Sequence, residues 1–224
     1  MTEQNNSTTR TKPITRIFIG LGICVVAAGI YVMNGVYGNQ TIETNRPVAS
    51  ETTKKRAIII EASAQGDVAA MLAVDEPRQV PDHQFIAPDG SIKTIGDFKG
   101  KVLLVNLWAT WCAPCREEMP AISDLQAQKS GEDFDVLTIN IDRGGREKPE
   151  GFLNEIGVDN LPLYQDASMG IFNNLKKEGI AFGLPVTMLL DEDGFILASM
   201  NGPAHWSGDD ALNYIDAAIA SKDP

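Results

Sequence analysis

The chain has 224 residues, 43% hydrophobic and 22% charged, which suits one ordinary domain with an apolar core and does not suit disorder. Its formal net charge of −11 is uneven: residues 1–56 carry seven Lys/Arg against three Asp/Glu, and residues 57–224 carry twelve against twenty-seven. An acidic body argues against nucleic acid as a partner and is compatible with a cationic protein. Three cysteines are too few for a disulfide scaffold.

The first predicted element is a membrane anchor. Residues 1–16 form a polar tail with Arg10, Lys12 and Arg16, and Ile17–Met33 follows as seventeen residues without a charge. Together with the uncharged flank Asn34–Gly38 this run reaches the length that crosses a bilayer core as a helix. The preceding cations favour a cytoplasmic N-terminus, so the rest of the chain would be exported. A cleaved signal peptide is the rival reading, but "MNGVYG" is a poor match to an A-x-A-like cleavage site. Cys24 in this run reads as a small apolar helix residue, because Ile23 before it is not the small residue that lipidation wants. The expected organisation is a cytoplasmic tail at 1–16, a transmembrane signal-anchor at 17–38, a polar linker at 39–64 and an exported domain at 65–224.

Within 57–74 the pattern is partly helical and leads into the domain. A D-G turn at 89–90 predicts a hairpin over 83–98. "KVLLVNLWA" (101–109) is a continuous apolar run, the mark of a buried central strand. Apolar spacing at Met119, Ile122 and Leu125 predicts a helix over 113–130, which Pro120 should kink. A second buried strand is expected at 134–142 and a helix at 147–157, with Pro149 in its first turn and Gly157 at its end. A short strand in "LPLYQD", a helix at 168–179, a hairpin at 185–202 around D-E-D-G and a helix at 207–221 N-capped by Ser207 complete the chain. A βαβ unit followed by a ββα unit gives a central mixed sheet flanked by helices.

The chemistry concentrates in "WATWCAPC" (108–115). Structural zinc needs four ligands, and His83 and His205 lack metal-ligand spacing to Cys112 and Cys115. Copper(I) favours thiolates and could take the two with Met119. A static disulfide over so small a loop adds little through loop entropy. Dithiol–disulfide exchange fits best: Cys112 lies where a buried strand gives way to a helix, whose N-terminal N–H groups stabilise a thiolate, and Cys115 is one turn on. Trp108 reads as core and Trp111 as a cover for the exposed sulfur. Met188 and Met200 read as core, His83 as surface and His205 as incidental.

"NLWATWCAPCREEMP", with "GKVLLVNLWATWC", "INID", "FGLPVT" and "GPAHW", closely resembles the TlpA/ResA-like branch of the thioredoxin superfamily, membrane-anchored periplasmic thiol–disulfide proteins of bacteria. The likeness runs from about residue 65 to the end. It implies an α/β thioredoxin fold with an N-terminal hairpin and an insertion at 143–182 between the two halves. It also implies a redox-active Cys112–Cys115 disulfide as the sole redox group, with no cofactor and no metal.

By position, the resemblance makes Pro185 the superfamily's cis-proline, leaving the Leu184 backbone to pair with a substrate strand. Glu118 matches an acid in related thiol-reducing proteins; it either handles protons during exchange or is a solvated first-turn Glu. Asn106 stands where thioredoxin carries a buried Asp. Ala113 and Pro114 between the cysteines are closer to thioredoxin's Gly-Pro than to the Pro-His of the oxidant DsbA, which points to a reductant. The resemblance suggests electrons from a DsbD/CcdA-type membrane relay. As targets it suggests the cysteines of a copper chaperone and of the copper-binding subunit of cytochrome oxidase. Apocytochrome c is the alternative target, Cu(I) carriage an alternative role, and a tethered peroxidase of related fold a further one.

Overall fold

The computed structural model describes residues 47–222. The predicted tail, the predicted transmembrane anchor and Cys24 lie outside those residues. Among the described residues, no helix is long and apolar enough to cross a membrane.

In chain order the elements are α1 (Glu51–Ser63), β1 (Leu72–Ala73), β2 (Phe85–Ile86), β3 (Ile92–Lys93), β4 (Val102–Trp108), α2 (Ala113–Lys129), β5 (Phe134–Asn140), α3 (Glu147–Glu155), β6 (Tyr164–Gln165), α4 (Gly170–Lys177), β7 (Val186–Leu190), β8 (Ile196–Asn201) and α5 (Asp209–Ala220). They build one mixed sheet in the order β1-β8-β7-β4-β5-β6-β2-β3. β4, β5 and β6 are parallel, while β7, β8 and β1 add antiparallel on one side and the β2–β3 hairpin on the other. This is the expected thioredoxin-like arrangement, a βαβ half through β4-α2-β5 and a ββα half through β7-β8-α5. Between them, residues 143–182 supply α3, β6 and α4.

All seven residues of β4 are buried, because strands pair with it on both edges and the sheet is covered on both faces. Its one polar member, Asn106, is in register with Thr138 on β5 and Thr187 on β7. Residues opposite one another in a sheet share a face, so a row of three buried polar side chains crosses the centre of the sheet.

Two sequence expectations change. Residues 51–63, inside the predicted linker at 39–64, form α1, which is N-capped by Ser50 and packs against β8, β1 and α5. Ala57 and Ile60 are buried there, and full burial of one Ile side chain is worth about 1.5–3 kcal/mol. Arg56 is 6% exposed and fastens the helix, donating through Nη1 to Glu192 Oε2 at 2.7 Å and through Nε to Ser221 Oγ at 3.2 Å. The ordered body therefore begins well before residue 65. At the other end Gly208, not Ser207, is the N-cap of α5.

Candidate active site

The site forms where β4 ends. Trp108 is fully buried and stacks at a tilt on Phe152 of α3, with centroids 5.7 Å apart. The chain then turns through Ala109–Trp111 into α2. Asp142, just past β5, fixes this turn: both of its carboxylate oxygens accept from the Thr110 N–H at 3.2 Å, and Asn140 Nδ2 donates to it at 3.3 Å. Asp142 belongs to the "INID" string, but its role as a brace was not legible from the sequence, because the partner lies 32 residues away.

Cys112 is the N-cap of α2 and Cys115 lies in its first turn. The two are joined by a disulfide with S–S 2.07 Å and Cα–Cα 5.3 Å, so the structure is the oxidised form. The Cys115 N–H points at Cys112 Sγ over 3.3 Å. That is the first-turn N–H contact that stabilises negative charge on a sulfur at this position. Cys112 is 6% exposed and Cys115 is fully buried, so the two residues differ in exposure. Pro114 falls in the first turn of the helix, where its missing N–H costs nothing. Trp111, at 58% exposure, stands out into solvent beside the pair.

The Leu184–Pro185 bond is cis, as the resemblance implied. Antiparallel pairing of Leu107 with Val186 brings the start of β7, with Leu184 and Pro185, to the sheet end from which β4 runs into the cysteines. Met188 and Met200 are core residues. His205 is exposed and its Nδ1 lies 3.5 Å from Asp67 Oδ2. His83 is less exposed than expected, its Nε2 3.2 Å from both Ser168 Oγ and Asp166 Oδ2. Among the described residues, no group of three or more His, Cys, Asp or Glu could hold a metal ion.

Glu118 is 4% exposed, which removes the solvated reading. It lies one turn after Cys115 on α2. Asn106 Nδ2 donates to its Oε1 at 2.9 Å, while the Ala204 N–H and the Trp206 indole N–H each donate to its Oε2 at 3.1 Å. Burial pushes the carboxyl up to about 7, against the pull of these donors. The same Asn106 amide donates to Thr187 Oγ1 at 3.0 Å, and its own oxygen is buried without a hydrogen-bond partner among the described residues. Trp206 was missed in the sequence, where only the histidine of "GPAHW" was weighed. The tryptophan is fully buried and is the one that reaches the acid.

A mixed sheet carrying a C-x-x-C disulfide at the head of the helix after its central strand, with a cis-proline opening the neighbouring strand, defines a thioredoxin-fold thiol–disulfide oxidoreductase. The comparisons agree. The Redoxin family matches residues 75–217, and the chain belongs to that family. It is 31% identical over 130 residues to thioredoxin-like protein YneN of Bacillus subtilis, covering 56% of this chain and 71% of that one. It is 25% identical over 130 residues to thiol-disulfide oxidoreductase ResA of Bacillus thuringiensis subsp. konkukian, covering 56% and 69%. In fold it is similar to a putative thiol:disulfide interchange protein DsbE from Chlorobium tepidum, with a TM-score of 0.54 at 24% identity over 63% of this chain and 95% of that one.

Proposed function

We propose that this oxidoreductase is a membrane-tethered reductant of disulfides in exported client proteins. Residues 17–38 hold it in the bacterial inner membrane by a single pass, with residues 1–16 in the cytoplasm and the folded domain in the periplasm. One observation carries the reductive reading. The disulfide sits at a helix head with Ala-Pro between its cysteines and no imidazole between them to stabilise a thiolate further, and Cys112 keeps 6% exposure while Cys115 is fully buried. Extreme thiolate stabilisation is what makes DsbA an oxidant.

In the reduced protein the Cys112 thiolate attacks a client disulfide, expelling one client sulfur as a thiolate and forming a mixed disulfide. Cys115 then gives up its proton and attacks the Cys112 sulfur. The second client sulfur leaves, and the Cys112–Cys115 disulfide closes. Two electrons pass to the client. Glu118, which exchanges its proton near neutrality, takes the Cys115 proton. The Leu184 backbone beside Pro185 pairs with the client strand, and Trp111 shields the attacking sulfur. A DsbD/CcdA-type relay restores the dithiol. The resemblance favours copper-centre assembly clients, a copper chaperone and the copper-binding subunit of cytochrome oxidase. Their cysteines must be reduced before copper binds.

The test is the equilibrium potential of the Cys112–Cys115 couple, titrated against glutathione in the full chain. A value near that of thioredoxin, about −270 mV, or lower supports a reductant, and Cys115→Ser would then trap the client as a mixed disulfide. A value near that of DsbA, about −120 mV, makes the protein an oxidant instead.

A further inference from the structure

Among the described residues only two aromatic side chains are exposed, Trp111 and Phe182. Both belong to loops at the end of the sheet that carries the disulfide. Trp111 precedes Cys112. Phe182, at 75% exposure, is the last residue of the insertion and stands two residues before Leu184 of the cis peptide. Two residues of backbone span at most about 7 Å, so Phe182 stays close to the place where Leu184 pairs with a client.

A lone exposed phenylalanine is ordinary on a protein surface. Phe182 differs in the way its loop is held. The chain arrives from α4 with Ile180 and Ala181 buried, and the N–H groups of both donate to the Leu175 oxygen, at 2.9 and 3.3 Å. It leaves through Pro185, which is buried and whose carbonyl accepts from the Gly202 N–H at 2.9 Å. Between these ends Asn201, the last residue of β8 and the register partner of Val186, commits both ends of its amide to the loop. Its Oδ1 accepts from the Phe182 N–H at 2.7 Å and the Gly183 N–H at 3.4 Å, and its Nδ2 donates to the Ile180 oxygen at 2.9 Å. A side-chain amide can do this because it carries an acceptor and donors together. The backbone is thus fixed along the loop, while the Phe182 ring is left in solvent. A rigid aromatic side chain on a fixed backbone offers large contact area at small entropic cost.

From these observations we infer that Phe182 is a client-contact residue that selects among disulfides. Its ring packs on a large apolar side chain close to the client cysteine, and Asn201 is the positioning residue that holds the ring's loop at the site. The occupant is apolar because the ring carries neither a charge nor a hydrogen-bonding group to meet a polar one. The inference rests on the reading of the couple as a reductant of client disulfides, and it adds which client segments are chosen.

The experiment uses the reduced full chain in detergent and short uncharged peptides whose single cysteine is linked as a mixed disulfide to 2-thiopyridine. Cys112 attacks the peptide sulfur, the peptide–pyridyl S–S bond breaks and pyridine-2-thione is released. Cys115 then displaces the peptide as a free thiol, so one dithiol becomes one disulfide and absorbance reports the rate. Three peptides carry Leu two residues before the cysteine, Leu two residues after it, or Ser at both places. Every rate is divided by the rate of the same protein on 2-hydroxyethyl pyridyl disulfide. An extended client passes Phe182 on one side of its cysteine only, so one Leu peptide should outpace the Ser peptide by roughly 5- to 10-fold. The gain should lie in the half-saturating concentration rather than the limiting rate, and it should not shrink as salt rises. Phe182→Ser should erase it. Asn201→Ala should reduce it, and Asn201→Asp, which keeps the acceptor for Phe182 and Gly183, should restore part of it. Equal wild-type rates on all three peptides, or a Leu preference that survives in Phe182→Ser, overturn the inference, while a normal wild-type rate on the small disulfide leaves the reductant reading standing. A wild-type dimer in sedimentation that Phe182→Ser dissociates assigns the ring to a second copy of the chain and overturns it too. Failure of the wild type to reduce the small disulfide overturns both readings.

Discussion

The indole N–H of Trp206 donates to Glu118 Oε2 over 3.1 Å, tying the segment after β8 to the turn of α2 that follows the cysteines. A donor aimed at a carboxylate favours its charged form, so this bond works against the burial that raises Glu118. Trp206→Phe keeps most of the ring volume and deletes the donor. The Glu118 carboxyl should then ionise above its present value of about 7, and the alkaline shift of any limb it contributes to the pH profile of exchange measures this. The stability cost should be on the order of 1–3 kcal/mol, because the Ala204 and Asn106 donors remain. An unmoved profile in the variant would disconnect Glu118 from the exchange step.

Glu118 also makes a stability prediction whose sign is fixed. Its carboxyl is raised from 4.5 to about 7 in the folded chain. Between those values the unfolded chain has lost the proton that the folded chain still holds. Stability therefore falls as pH rises through that window and is flat with respect to this group above it. The total is on the order of 3 kcal/mol. Glu118→Gln removes the titration, and its amide can donate to the Asn106 oxygen that now lacks a partner once the Asn106 amide turns over. The variant should be no more stable than wild type at pH 4.5 and more stable at pH 8. Urea unfolding of both proteins across that range isolates the effect, and a difference independent of pH would refute it.

What the sequence disclosed and what it hid divide along sequence distance. The C-x-x-C pair, the central strands β4 and β5, the hairpin of β7 and β8 and the cis-proline were legible, because each is carried by a local string or an apolar run. Glu118 was visible as an acid near the cysteines, but its burial depends on Ala204 and Trp206, 86 and 88 residues away. The helix α1 was legible only in its second half, as the partly helical pattern from residue 57, for a related reason. Three consecutive isoleucines, Ile58–Ile60, spoil any one-sided pattern, and only Ile60 is buried while Ile58 and Ile59 are exposed. Its main polar tether, Glu192, lies 136 residues on. Ser207 before two aspartates looks like a helix cap, yet Gly208 takes that place.

The tether itself can be tested. Burial works against the Glu192 carboxylate, but the Arg56 hydrogen bond and charge outweigh it and hold its carboxyl below the usual range. A group lowered in this way adds stability above its unfolded pKa, and that stability is lost as pH falls through the folded value. Arg56→Met should therefore destabilise the protein by about 2–3 kcal/mol near pH 7, where a partly buried carboxylate loses its shorter ion pair and keeps only Lys222 at 3.6 Å, and by less in acid. Chemical unfolding at pH 7 and pH 3 gives both numbers. Arg56→Met combined with Glu192→Met should recover part of the loss, since the carboxylate left with only the longer Lys222 contact is gone.

The unequal burial of the two cysteines leads to a chemical prediction about the reduced protein. Cys112 is 6% exposed and Cys115 is fully covered within α2. Cys112 also sits where the first-turn N–H of Cys115 favours a thiolate, at 3.3 Å. Because the thiolate is the form that alkylates, a brief exposure of the native reduced chain to iodoacetamide should modify Cys112 first. Cys115 should react at a comparable rate only after unfolding in urea. Peptide mass mapping after each treatment locates the label. Equal labelling of both cysteines in the native protein would mean that the end of α2 opens readily once the disulfide is reduced. In that case Cys112 could not be assigned as the sole attacking sulfur, and either cysteine could begin the exchange.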